Sequence, residues 1–124
     1  MNLLLDTHAV LWFVDGAAEL RSEARGAIES ADRAYVSSAS IWELAVKHAR
    51  GRLVAPDDLP GRLHDLGFIE LALGWEHARV AGELPMHHLD PFDRMLVAQA
   101  IVEQLTIVTR DDMIGRYGVP VIAA

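Results

Sequence analysis

The order of apolar and polar positions divides this chain into alternating strand and helix segments. Leu3-Leu4-Leu5 is a continuous apolar run closed by Asp6, the mark of a strand buried on both faces. Helical spacing follows from about His8 to Val14, with Gly16 as a stop. A second helix is predicted from Ser22 to about Ala31, where Ala24, Ala27 and Ile28 share a face. Ala34-Tyr35-Val36-Ser37 predicts a second strand. A helix from about Ser40 to Arg50 carries Ile41, Leu44, Ala45 and His48 on one stripe and meets Gly51 at its end. Asp57 or Asp58 is placed to cap a short helix through Leu66, Phe68 to Leu73 predicts a third strand, and Trp75 to Leu84 another helix. Asp90-Pro91 opens a long helix to Gln104, with Asp90 as N-cap and proline at the first helical position. Leu105 to Thr109 is rich in β-branched residues and predicts a fourth strand. A turn of helix from about Asp112 to Tyr117 and a last strand from Pro120 to Ala123 complete the pattern. Such alternation implies right-handed crossovers and a central parallel sheet covered on both faces. The expected fold is an α/β three-layer sandwich, in one domain spanning residues 1–124.

Composition narrows the chemistry. The 124 residues hold 52% hydrophobic and 23% charged positions, which is globular composition, and no repeat or linker breaks the single domain. There is no cysteine, so disulfides, zinc–thiolate sites and thiol catalysis are excluded. No apolar run is long enough to span a bilayer and the N-terminus lacks a signal-peptide pattern, so a cytoplasmic setting is expected. The formal charge is −7 and Lys47 is the only lysine, which argues against gripping nucleic acid through a broad basic face. A polyanion can still be met through bound cations, each divalent ion offsetting two carboxylates.

The positions of the acids matter more than their number. Asp6 closes the first strand, Asp111 follows the fourth, and Glu43 and Asp93 lie in the first turns of predicted helices. In an open parallel sheet, the carboxyl ends of strands and the adjoining helix N-termini form the edge where ligands bind. Four carboxylates gathered there repel one another unless a cation or a proton intervenes. Hard ions such as Mg²⁺ or Mn²⁺ prefer such oxygens and can activate water against a phosphodiester.

Each acid also has a structural role to weigh. Ser40 and Glu43 have the spacing of a capping box, and Glu43 an i,i+4 pairing with Lys47. Asp90 reads first as a cap, Asp93 as a dipole-favoured acid, and Asp111 or Asp112 as the start of a short helix. Asp6 is the hardest to explain that way, because a carboxylate after three buried leucines costs desolvation energy without a partner. His87 and His88 read as polar loop residues, since no third nitrogen ligand stands at zinc-like spacing. Trp12, Trp42 and Trp75 read as core or partner-contact residues, and no glycine-rich phosphate loop or serine elbow is present.

Four stretches together resemble a known family: LLLDTHAVLWF (3–13), VSSASIWELAVK (36–47), HHLDPFDRMLVAQA (87–100) and LTIVTRDDMIGRYGV (105–119). In order and spacing they resemble the PIN-domain toxins called VapC, over essentially the whole chain. The resemblance implies a PIN fold and an endoribonuclease dependent on Mg²⁺ or Mn²⁺, serving as the toxin of a type II toxin–antitoxin pair. It places the family acids on Asp6, Glu43, Asp93 and Asp111, with Asp112 as a substitute for Asp111, and hydroxyls near the metal on Thr7 and Thr109. Many members carry serine where His8 stands here, which leaves the role of position 8 open. The implied partners are RNA, a small antitoxin and a second copy of the chain.

Arg94 and Arg110 adjoin the acids and are expected either on flanking phosphates or in surface salt bridges. Two other phosphoryl-transfer folds also place an aspartate after the first strand. The dehalogenase pattern needs a second aspartate where His8 stands, and the receiver pattern a lysine after its last strand. A housekeeping RNA-processing nuclease and a non-catalytic PIN binding module remain the alternatives.

Overall fold

The computed structural model describes all 124 residues, and five parallel strands run through its middle in the order β3-β2-β1-β4-β5. The elements follow as β1 (Asn2–Leu5), α1 (Thr7–Val14), α2 (Ser22–Ser30), β2 (Arg33–Ser37), α3 (Ser38–Ala49), α4 (Leu59–Asp65) and β3 (Ile69–Leu71). The second half holds α5 (Trp75–Glu83), α6 (Pro91–Glu103), β4 (Thr106–Thr109), α7 (Asp112–Gly115) and β5 (Val121–Ala123). No helix is long and apolar enough to cross a membrane.

The leucine run is central in every sense. Leu3, Leu4 and Leu5 have no exposed surface, and they pair with Ala34–Val36 on one side and Thr106–Val108 on the other. Because strand side chains alternate, Leu3 and Leu5 face one layer and Leu4 the other. The first layer packs residues of α1, α2, α3 and α4, including Val10, Ala24, Ile28, Leu44 and Leu63. The second joins Leu4 and Ile107 to Leu96, Val97 and Ala100 of α6 and Ile114 of α7. The helices between β1 and β3 therefore cover one face and those after β3 the other, which gives the expected three layers. Leu4→Ala should destabilise the domain by about 3.5 kcal/mol, the middle of the range for emptying a closed leucine site. Urea unfolding measures this, and a loss near zero would mean that the second layer collapses freely onto β1.

Two expected caps differ. The helix after β2 begins at Ser38 rather than Ser40, because Ser37 ends the strand and its hydroxyl accepts the Ala39 amide at 3.0 Å. Ser40 and Glu43 consequently sit within the helix, and no capping box forms between them. Asp58 stands at the N-cap position of α4 but in the left-handed region (φ 48°), and its side chain caps nothing. Asp90 does cap α6, its Oδ1 accepting the amides of Phe92 and Asp93 at 2.8 and 3.3 Å.

Chain order reverses between β1 and β4: β2 and β3 extend the sheet one way from β1, and β4 and β5 extend it the other. At such a switch the loops beyond the carboxyl ends of neighbouring strands part and leave a crevice.

Candidate active site

Four backbone turns meet at that crevice. Asp6 leaves β1 and caps α1, with Oδ1 accepting the Ala9 amide at 2.9 Å. Its Oδ2 accepts the Thr109 hydroxyl at 2.5 Å, and Thr109 is the last residue of the neighbouring strand. Two residues on, Asp111 caps α7 by accepting the Met113 amide at 2.9 Å, while the Asp111 amide donates to Thr109 Oγ1 at 3.0 Å. Thr109 thus ties the two aspartates of adjacent strands together. Asp112 is exposed, at the first position of α7.

The other acids come from helices. Glu43, 5% exposed on α3, accepts the Thr7 hydroxyl at 2.6 Å and the Lys47 ammonium at 2.8 Å. Thr7 also reaches Ser40 Oγ at 3.2 Å, so the serine expected to cap α3 instead supports this network. Asp93 lies in the first turn of α6. Asp6, Thr7, Glu43, Asp90, Asp93 and Asp111 all line one cleft of about 140 Å³, together with His8, Trp12, Lys47 and Arg110. All four acids singled out from the sequence thus open onto one space.

The electrostatics of this cleft are strained. Burial pushes the Asp6 carboxyl above its ordinary value, opposed by the bonds from Thr109 and Ala9. Asp93 is pushed up to about 7, first by burial and next by the charge of Asp90; His88 opposes this, while Glu43 and Asp111 add to it. Burial and the neighbouring carboxylates thus act together to keep Asp93 from ionising.

His88 is the residue that reading the sequence set aside. Its Nε2 lies 2.8 Å from Asp111 Oδ2 and 3.0 Å from Asp93 Oδ2, and the three side chains offer atoms within 4.8 Å of one another. Burial lowers the His88 pKa, but the bond to Asp111 and the charges of Asp93, Asp111 and Asp90 outweigh it and hold the pKa raised. The loop before α6 brings this ring to the two carboxylates by tertiary contacts that no spacing along the chain encodes.

Neither arginine pairs with a surface carboxylate, and Arg110 lines the acidic cleft. Arg94 donates to the carbonyls of Ala81, Leu84, Pro85 and His88 at 2.9 to 3.3 Å, and Tyr117 donates to the Pro85 carbonyl at 2.9 Å. Together they clamp the segment that carries His88. Arg110 donates to the carbonyls of Ala124 and Glu19 and stacks over Trp12, 4.4 Å from the ring centroid. Backbone carbonyls, rather than carboxylates, hold both guanidinium groups in place.

A second, larger depression of about 400 Å³ lies between α3, α4 and β3, lined by Ile41, Trp42, Leu63, Phe68 and Ile69 among others. Trp42 is 62% exposed, directly precedes Glu43, and packs edge-on against Phe92, the neighbour of Asp93. Trp42 therefore links the groove to the start of α6, the helix that carries Asp93.

Comparison with known proteins agrees with this architecture. No curated protein sequence matches the chain. Among solved structures, VapBC2 from Rickettsia felis bound to a promoter DNA fragment superposes with a TM-score of 0.71 at 14% identity, covering 99% of this chain and 98% of that one. DNA-bound VapBC from Salmonella typhimurium gives 0.71 at 17% identity over 98% and 97% of the two chains. A toxin–antitoxin complex from Klebsiella pneumoniae gives 0.66 at 21% identity over 98% and 96%. At these identities the likeness speaks for the fold. The PIN-domain family model matches residues 3–120, from the leucines of β1 to the proline before β5, and this chain belongs to the PIN-domain family.

Proposed function

We propose that this PIN domain is a metal-dependent endoribonuclease that hydrolyses RNA phosphodiester bonds, and that it is the toxin of a toxin–antitoxin pair. One observation carries the reading: Asp6, Glu43, Asp90, Asp93 and Asp111 line a single small cleft, and Asp93 there is driven to about 7. Oxygen donors dominate the set, which suits Mg²⁺ or Mn²⁺ rather than zinc. Family membership supports the reading, since PIN domains are generally nucleases. The toxin–antitoxin complexes among the similar structures support the toxin role.

Asp6, Asp93 and Glu43 would hold one ion, with Asp111 completing that set or serving a second ion. A divalent ion so held supplies a Lewis acid that activates water and offsets charge developing on the phosphodiester. The chain's own groups prepare the place. Thr109 and the Ala9 amide orient Asp6, and Thr7 orients Glu43. Lys47, one-third exposed at the cleft, neutralises Glu43 and is the cation best placed to shift toward a substrate phosphate. Arg94 and Arg110 are committed to carbonyls and act by holding the walls.

The groove beside Trp42 offers an apolar seat at the edge of the acids. A small antitoxin would lay an apolar segment there and carry a basic side chain to the carboxylates, consistent with the net charge of −7. Cytoplasmic action and a homodimeric or toxin–antitoxin assembly complete the proposal.

The test is direct. Purified protein incubated with cellular RNA should produce new RNA ends in Mn²⁺ or Mg²⁺ and none in EDTA, read by sequencing the ends. Cleavage undiminished in EDTA would remove the metal from the account. Growth arrest on expression, relieved by a neighbouring short open reading frame, separates a toxin from a housekeeping nuclease; no RNA cleavage under any metal leaves the binding module.

A further inference from the structure

The acidic cleft and His88 touch without overlapping. Asp93 and Asp111 line the cleft, whereas His88 does not, although its Nε2 is within 3.0 Å of an oxygen on each. The ring stands beside the two carboxylates, its ligand atom within 4.8 Å of theirs. Its other nitrogen is fixed as well: Nδ1 accepts the Asp90 amide at 3.1 Å, which leaves the proton of the neutral ring on Nε2. That single N–H bonds Asp111 Oδ2 at 2.8 Å, with Asp93 Oδ2 3.0 Å from the same nitrogen.

Much of the surrounding structure serves to keep the ring there. The His88 amide donates to the Tyr117 hydroxyl at 2.8 Å, Arg94 reaches the His88 carbonyl at 3.3 Å, and the same arginine clamps the chain back to Ala81. Asp111 Oδ1 is already taken by the Met113 amide, so His88 completes its protein contacts. Asp93 differs: its Oδ2 stands 3.0 Å from His88 Nε2, and neither of its carboxylate oxygens accepts a hydrogen bond from the protein.

We propose that His88 is a positioning residue for the cation site: its Nε2–H bonds Asp111 and lies against Asp93, holds the two carboxylates at the cleft, and stays outside the coordination sphere of the ion. This deepens the metal-dependent reading above and rests on it. Hydrogen bonds of this kind to ligating carboxylates set their orientation, and their loss typically weakens metal binding about 10–100-fold. A direct nitrogen ligand is the competing geometry. It would need the proton moved from Nε2 to Nδ1, where the Asp90 amide already points.

Mn²⁺ alone is the probe. His88→Leu should raise the Mn²⁺ dissociation constant about 10–100-fold by EPR titration. His88→Gln, whose amide can present an N–H near the same point, should return it close to the unsubstituted value. Pulsed EPR of the Mn²⁺-loaded unsubstituted protein should show no coupling from a directly bonded nitrogen. Both variants keep the backbone groups of residue 88 that Tyr117 and Arg94 bind, so the loop clamp is retained. A bonded-nitrogen signal that disappears in His88→Leu overturns the proposal and makes His88 a ligand. Equal or tighter Mn²⁺ binding in His88→Leu overturns it too, while leaving the nuclease reading intact. An unsubstituted protein that binds no Mn²⁺ overturns both.

Discussion

Asp93→Asn should abolish RNA cleavage and, in EDTA at pH 8, give a protein that melts higher than the unsubstituted chain. The activity loss is expected at about 10³-fold or more, since a metal-held charge contributes several kcal/mol to the transition state and each 1.4 kcal/mol is tenfold. The stability gain follows from the carboxyl being pushed up to about 7 from an ordinary 3.8. Between those values the folded protein holds a proton on Asp93 that the unfolded chain has lost. Stability therefore falls as pH rises through that window, and the full cost of ionisation is present above it. Asparagine has no such cost. The group is partly open to solvent, so screening leaves a gain of about 1 kcal/mol, a few degrees in melting temperature for a domain this size. Thermal melts of both proteins at pH 5 and pH 8 in EDTA, then in Mg²⁺, measure it. A variant that melts lower than the unsubstituted protein at pH 8 in EDTA contradicts the electrostatic account.

Arg94→Ala should be the most damaging change among the charged residues outside the carboxylate set. The guanidinium satisfies the carbonyls of Ala81, Leu84, Pro85 and His88 at the end of α5 and in the loop after it. Removing it leaves several half-buried acceptors without a donor, at about 1–3 kcal/mol for each one that water cannot reach. A total loss of about 2–4 kcal/mol is expected, measured by urea unfolding. Arg94→Lys should recover only part of it, because a point ammonium cannot span the carbonyls that a planar fork reaches. Amide hydrogen exchange should accelerate at His88 and Asp90 before it does in the strands. Unchanged exchange there would show that Tyr117 alone holds the loop.

How far the sequence is legible depends on the range of the interaction that decides each feature. Strand β1 could be read because three leucines followed by an aspartate encode burial on both faces locally. The start of α6 could be read because Asp90-Pro91 combines a side-chain acceptor with a residue that needs none for its own nitrogen. Asp6, Glu43, Asp93 and Asp111 could be placed on one edge because parallel topology makes every strand's carboxyl end point the same way. The serine-rich start of α3 could not be settled locally: Ser37, Ser38 and Ser40 are all competent caps, and the end of the β2 pairing with β3 decided for Ser37. The contacts of His88 and Arg94 could not be read for a related reason. Their partners lie on α5, α6, the following loop and α7, and no spacing along the chain announces that these converge.

The hydrogen bond between Thr109 and Asp6 joins residues 103 positions apart in the chain. It also bears on the protein's synthesis. Translation delivers Asp6 first, but the strand that pairs beside it and the aspartate that follows emerge about a hundred residues later. The set of acids on the ribosome is therefore incomplete until β4 and Asp111 have been made. The first strand waits with its carboxylate lacking the Thr109 hydroxyl through the synthesis of every helix in between.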